Sequence, residues 1–182
     1  MATLTPAVTV PLEVYLRTSY HPDRDWIDGE LRERNMGERP HAAMQRFFLR
    51  FFFRYEEVHG ILAYPELRTQ VSATHFRVPD VLVLRKTDPA DDIVRVAPLL
   101  CIEILSRDDS MSEMQEKIDD YLEMGVAAVW VIDPRRRKAS LADAHGLHAR
   151  EVLEFPGMPI QVTREEMFAE LDALESRPSS AV

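Results

Sequence analysis

Leu99-Leu100-Cys101-Ile102-Glu103-Ile104-Leu105 decides the reading of this chain. Pro98 opens the run, and every residue in it except Glu103 is apolar. A short continuous apolar stretch of this kind reads as a strand buried on both faces, as in a sheet covered by helices on each side. The carboxylate in its middle is the anomaly. Burying an ionised, unpaired carboxylate costs several kcal/mol, a large share of the roughly 5–15 kcal/mol that holds a domain together. Glu103 therefore calls for a cation, a hydrogen-bond donor or a raised pKa.

Two further runs, 81–84 and 126–132, are apolar on both faces in the same way. Asp80 directly precedes the first of them, after Pro79, and poses the same question as Glu103. Two acids on neighbouring strands can meet at one end of a sheet. Oxygen ligands of this kind suit a hard divalent ion, and Mg²⁺ usually takes one or two carboxylates plus waters. A helix is expected over 112–124, with a core stripe of Met114, Ile118, Tyr121 and Leu122 and a stop at Gly125. Lys117 falls on the flank of that stripe beside Tyr121. It can lean over the strand ends, where an ammonium could orient a water and stabilise charge developing on a phosphate. The plainer alternative is a surface pair with Glu113 four residues earlier.

Around this centre the pattern gives a short helix at 12–18 and a strand at 26–33 with a turn at Asp28-Gly29. A buried helix follows at 42–55, where Met44, Phe47, Phe48 and Phe51 recur at helical spacing. Strands are expected at 62–71 and 78–84, and a hairpin at 138–145 and 147–153 about Gly146. The last helix is capped by Thr163, with Glu166 completing a capping box. The whole reads as an α/β domain with a mixed central sheet flanked by helices. It spans 12–175, with a flexible stretch at 1–11 and a disordered tail at 176–182.

The 182 residues suit one domain, and 46% apolar with 29% charged residues is an ordinary globular balance. A lone cysteine, Cys101, excludes an internal disulfide framework and reads as a core thiol. No basic-then-apolar start and no run of about 20 apolar residues is present, so a cytoplasmic protein without membrane spans is expected. The net charge of −9 argues against a surface that attracts nucleic acid everywhere, so any DNA contact has to come from locally clustered cations. The run Arg135-Arg136-Arg137-Lys138 after Pro134 reads first as a solvated turn. The Phe-rich helix carries more apolar surface than one face can bury, which points to a homodimer.

Four segments in this order carry a resemblance: Val78-Pro79-Asp80-Val81-Leu82-Val83-Leu84, Leu100-Cys101-Ile102-Glu103-Ile104-Leu105-Ser106, the stretch from Glu116 to Val126, and Val129-Trp130-Val131-Ile132-Asp133-Pro134. Together with Trp26-Ile27-Asp28-Gly29-Glu30-Leu31 and His41, they resemble the Uma-type restriction endonuclease family, formerly a domain of unknown function. That family lies in the PD-(D/E)XK nuclease superfamily. The resemblance implies a restriction-endonuclease-like fold and a metal-dependent DNA endonuclease. It makes Asp80 and Glu103 metal ligands, Lys117 the catalytic lysine, and Mg²⁺ or Mn²⁺ the cofactor. The main-chain carbonyl of Ile104 and the early acid Glu30 would complete the metal site, with His41 and Tyr121 as accessories. In the plain motif the lysine stands two residues after the second acid. Here that residue is Leu105, and Lys117 matches the family's displaced lysine. The alternative is a nuclease-fold module without catalysis, serving as a protein-interaction or DNA-binding scaffold.

Overall fold

The structure, a computed structural model, describes residues 9–34 and 38–176. In chain order these form α1 (Leu12–Arg17), β1 (Asp25–Ile27), β2 (Glu30–Arg32), α2 (Arg39–Phe53), α3 (Glu56–His59), β3 (Ile61–Pro65), β4 (Thr69–Gln70) and β5 (His75–Arg77). Then come β6 (Val81–Arg85), β7 (Leu100–Ile104), α4 (Met111–Met124), β8 (Val129–Asp133), β9 (Lys138–Asp143), β10 (Gly146–Ala149), β11 (Val152–Glu154), β12 (Gln161–Thr163) and α5 (Arg164–Glu175).

The three apolar runs lie side by side at the centre of a sheet ordered β10-β9-β8-β7-β6-β3. Only β7 and β8 run parallel, and α4 makes the crossover that a parallel pair requires. Alternate residues of β7 face opposite ways. Leu100, Ile102 and Ile104 pack with Met44, Phe48, Phe51 and Phe52 of α2 and Met167, Phe168 and Leu171 of α5. Cys101 packs on the other side with Met114, Ile118 and Tyr121 of α4. Both faces of the strand are therefore dry, which is why the run has no polar alternation. Each large side chain buried this way contributes roughly 1.5–3 kcal/mol.

A smaller antiparallel sheet, β2-β1-β5-β4, sits on an aromatic cluster of Tyr15, Trp26 and Phe76. β11 and β12 pair with each other. Several expected strands prove to be divided. The stretch 26–33 folds back at the Asp28-Gly29 turn into the antiparallel pair β1 and β2, and 147–153 splits into β10 of the large sheet and β11, which pairs with β12. The stretch 62–71 divides into β3 and β4 because Glu66 takes a left-handed turn (φ 49°) and carries the chain from the large sheet to the small one. The stretch 78–84 begins only at Val81, since Pro79 cannot donate to a ladder. Most of the Phe-rich surface on α2 is core, and Phe53 alone among residues 47–53 is a large exposed aromatic, at 73%.

Of the N-terminal stretch expected to be flexible, residues 1–8 lie outside the described residues. Val10 is tied down: its N–H donates to Gly29 O at 2.7 Å and its carbonyl accepts the Trp26 indole N–H at 2.7 Å. The tail beyond Ser176 also lies outside the described residues. Among those residues no helix is long and apolar enough to cross a membrane.

Candidate active site

β6 and β7 pair antiparallel, with Val81 opposite Ile102. Continued by one residue, the same register sets Asp80 opposite Glu103. Val81 and Ile102 face α2 and α5, so by the two-residue period of a strand Asp80 and Glu103 share the face toward α4. Asp80 is 3% exposed and Glu103 1%, so neither carboxylate can rely on water.

Helix α4 crosses that face. Ser110 caps it by accepting the Glu113 N–H, and its hydroxyl donates to the Glu113 carboxylate at 2.7 Å. This cap holds Glu113 at the helix start. Lys117 pairs elsewhere: with Met114, Ile118 and Tyr121 turned into the core, Lys117 and Tyr121 both reach Glu103. Lys117 Nζ lies 3.0 Å from Oε2, and the Tyr121 hydroxyl donates to Oε1 at 2.6 Å. Asp80 is held as firmly. Its Oδ2 accepts the Ile104 N–H at 2.7 Å and faces His41 Nε2 at 3.2 Å, while Arg34 Nη2 donates to Oδ1.

All of these polar groups except Tyr121, which sits behind Glu103, line one cavity of ≈ 190 Å³. A third buried acid, Asp25 of β1, forms part of its wall. Asp25 accepts the Val78 N–H at 3.0 Å and faces Arg77 Nη1 at 3.2 Å, and Arg77 donates through Nε to Asp120 at 2.6 Å. Seven carboxylates (Asp25, Glu33, Asp80, Glu103, Asp108, Asp109 and Glu113) line the cavity against four permanent cations (Arg32, Arg34, Arg77 and Lys117) and His41.

The ionisation states follow from this balance. Burial would raise the Asp80 pKa, but the His41 hydrogen bond and the charges of His41, Arg34 and Lys117 outweigh it and hold the carboxyl at about 2. Burial pushes the Glu103 carboxyl up, and the Asp80 charge adds to this against the pull of Lys117, Tyr121 and Arg34. Burial disfavours the Lys117 ammonium, yet Glu103, Asp25 and Asp80 more than compensate and raise its pKa, so it stays charged. His41 is likewise raised, since its bond to Asp80 and the Asp80 charge outweigh its burial.

Asp80 and Glu103 thus offer two oxygen-donor groups to one cavity with an excess of acid. That donor chemistry fits a hard divalent ion, which needs no more than one or two carboxylates. No three His, Cys, Asp or Glu side chains form a ligating group among the described residues. Ile104 lines the cavity, and Tyr121 and His41 each touch one of the two acids. Glu30 does not join them. It lies exposed on β2 opposite Ile27, where the tight Asp28-Gly29 turn places it, and it does not line the cavity. Asp25 and Arg34, absent from the expected set, take up the space beside the two acids. Asp25 had a signal: it opens a three-residue strand whose other members, Trp26 and Ile27, are apolar. Arg34 had none, since it stands in a polar loop after Glu33. Residues 135–137 of the basic run form a turn whose Arg137 is paired with Asp172 and Glu175, and Lys138 opens β9.

The profile of a family described as "Uma2: Putative restriction endonuclease" matches residues 13–171. The chain belongs to the Uma2 family. The Uma2 domain also superposes on the crystal structure of a "putative nuclease belonging to DUF820" from Anabaena variabilis, with a TM-score of 0.78 and 21% identity over 89% of this chain and 99% of that one. The restriction-endonuclease-like α/β fold is thereby shown. A looser overlap, TM-score 0.39 and 15% identity, links 70% of this chain to 10% of a chain in a cryo-EM structure of a DrdV–DNA complex. No curated relative matches the chain.

Proposed function

We propose that this Uma2 domain is a metal-dependent DNA endonuclease that hydrolyses phosphodiester bonds. The observation that supports the reading best is the shared rung of β6 and β7, with Asp80 and Glu103 on one face and Lys117 3.0 Å from Glu103. In this reading Asp80, Glu103 and the Ile104 carbonyl hold Mg²⁺ or Mn²⁺. The ion, when bound, polarises the scissile phosphate and lowers the pKa of a water. The protein's own groups do the rest. Tyr121 fixes Glu103 through Oε1 and leaves Oε2 to Lys117. Lys117, kept charged by its acidic neighbours, orients the attacking water in line with the phosphorus and stabilises charge on the phosphate oxygens. The Ile104 N–H and His41 fix Asp80.

The acidic cavity wall and the full set of donors on Asp80 favour a second reading, a nuclease-fold module that binds without cutting. Incubation of supercoiled, linear and single-stranded DNA with Mg²⁺ or Mn²⁺ separates the two. Cleavage by the wild-type chain that disappears in Glu103→Gln supports the nuclease. Intact DNA under every condition supports the module.

A further inference from the structure

Arg34 follows β2 by two residues and lines the cavity, with its side chain 10% exposed. Its two terminal nitrogens are in different situations. Nη2 donates to Asp80 Oδ1, whereas Nη1 is buried and has no hydrogen-bond partner among the described residues. Glu66 Oε1 lies 3.4 Å from Nη1, close enough for charge attraction but outside hydrogen-bond geometry. A buried charged donor without an acceptor is costly and rare in folded proteins, and it marks a place where an acceptor belongs. Every cation of the cavity has a carboxylate partner, Arg77 with Asp25 and Asp120, Lys117 with Glu103, Arg32 with Glu116 and Arg34 with Asp80, and what sets Arg34 apart is the unbonded nitrogen.

We propose that Arg34 is the phosphate-binding residue of this site, with Nη1 donating to a non-bridging oxygen of a nucleic-acid phosphate held beside Asp80, Glu103 and Lys117. The proposal rests on the nuclease reading above and adds the group that recognises the substrate's anion. A guanidinium suits this task because its planar fork can hold two acceptors at once, here the Asp80 carboxylate on one nitrogen and a phosphate oxygen on the other. The site also needs such a group. A phosphate entering a cavity with more carboxylates than cations is repelled unless cations are directed at it, and Arg34 adds to Lys117 a buried nitrogen that has no acceptor among the described residues.

The test measures binding of a short labelled DNA duplex in Ca²⁺ across a series of KCl concentrations, using the full chain and its Arg34→Gln and Arg34→Lys variants. Losing one charge-assisted contact is expected to weaken binding about 10- to 100-fold. It should lower the slope of log affinity against log salt by about one, with little dependence on DNA sequence. Arg34→Lys keeps a cation on Asp80 but lacks the second fork nitrogen, so it should restore the melting temperature without restoring affinity. Wild-type affinity and slope in a folded Arg34→Gln or Arg34→Lys variant would overturn the proposal and leave the nuclease reading standing. Thermal melts with inorganic phosphate and Mn²⁺ cover the opposite case. If wild type binds no duplex but phosphate stabilises it and not Arg34→Gln, the anion site stands and the DNA reading falls. If neither probe binds wild type, both fall.

Discussion

Replacing Lys117 with alanine separates what this residue does for the fold from what it does for chemistry. Lys117 Nζ lies 3.0 Å from Glu103 Oε2, and the Glu103 side chain is 2% exposed. Without the ammonium, the Tyr121 hydroxyl is the remaining side-chain hydrogen-bond partner of that carboxylate among the described residues. Breaking a buried ion pair from one side costs about 3–5 kcal/mol if the stranded charge stays. Glu103 can instead take up a proton, and this sets a ceiling. Burial already raises the Glu103 pKa in the folded protein, so protonating it near pH 7 costs less than the roughly 3 kcal/mol an ordinary carboxyl would require. The expected loss is therefore on the order of 1–3 kcal/mol near pH 7, shrinking as pH falls. The sign follows from the raised pKa: the cost is present above it and fades as pH falls toward 4.5. Glu103→Gln in the same background should recover most of the loss. Urea unfolding at several pH values measures this. Cleavage assays on the folded variant should show a rate loss of about 10²–10³, the effect of removing one electrostatic stabiliser. Leu105→Lys should restore part of it, since Leu105 lies two residues beyond Glu103 on the same face of the strand. A stability loss below about 0.5 kcal/mol that does not vary with pH would refute the ion pair, because that is the size of an exposed helix pair. Undiminished cleavage by Lys117→Ala would refute the catalytic role.

Millimolar Mn²⁺ should raise the melting temperature of the wild-type chain but not of an Asp80→Asn, Glu103→Gln double variant, and equal shifts in both would place the binding elsewhere. In chelator, Asp80 should contribute on the order of 2 kcal/mol, since its carboxyl drops from 3.8 to about 2 on folding. That stability is present above pH 3.8 and is lost as pH falls toward 2, so Asp80→Asn should flatten this acid limb in a plot of unfolding free energy against pH. Glu103 acts with the opposite sign: its raised pKa costs stability at neutral pH and releases it on mild acidification, so Glu103→Gln should remove a rise in stability between neutral pH and about 4.5. The homodimer expected from the Phe-rich helix would use the exposed Phe53 (73%) and Val58 (79%); light scattering should then give a dimer for wild type and a folded monomer for Phe53→Glu, and a wild-type monomer removes it.

The centre of the fold was legible because its signal is local and large. Runs such as Leu82-Val83-Leu84 and Val129-Trp130-Val131 can satisfy their side chains only between two layers of helix, and this is where they lie. Lys117 was legible because helical periodicity places it beside Tyr121, and both reach Glu103. The cap predicted at Thr163 is formed, with Glu166 N–H donating to the Thr163 hydroxyl at 3.1 Å. What could not be read is set by contacts distant in the chain. Arg34 and Asp80 are 46 residues apart, and Arg77 and Asp25 are 52 apart. No periodicity links partners across such gaps.

Glu30 and Asp25 show how that limit selects the wrong acid. Both stand near the Asp28-Gly29 turn, and motif position favours Glu30. Pairing decides otherwise. In the hairpin Ile27 opposes Glu30 and Asp25 opposes Arg32, while β1 pairs on its other edge with β5, which leads through Val78 and Pro79 into Asp80. An acid on the inner strand is drawn toward the large sheet, and one on the outer strand is left to water. Asp25 tolerates burial because Arg77 and the Val78 N–H meet it there. The same reasoning limits what the net charge of −9 can say about DNA. Charges joined in buried pairs, such as Arg77 with Asp25 and Lys117 with Glu103, largely cancel at a distance, so a phosphate responds to whichever donor is left over inside the cavity. In the proposed site one such donor is Nη1 of Arg34, a single nitrogen that composition cannot reveal.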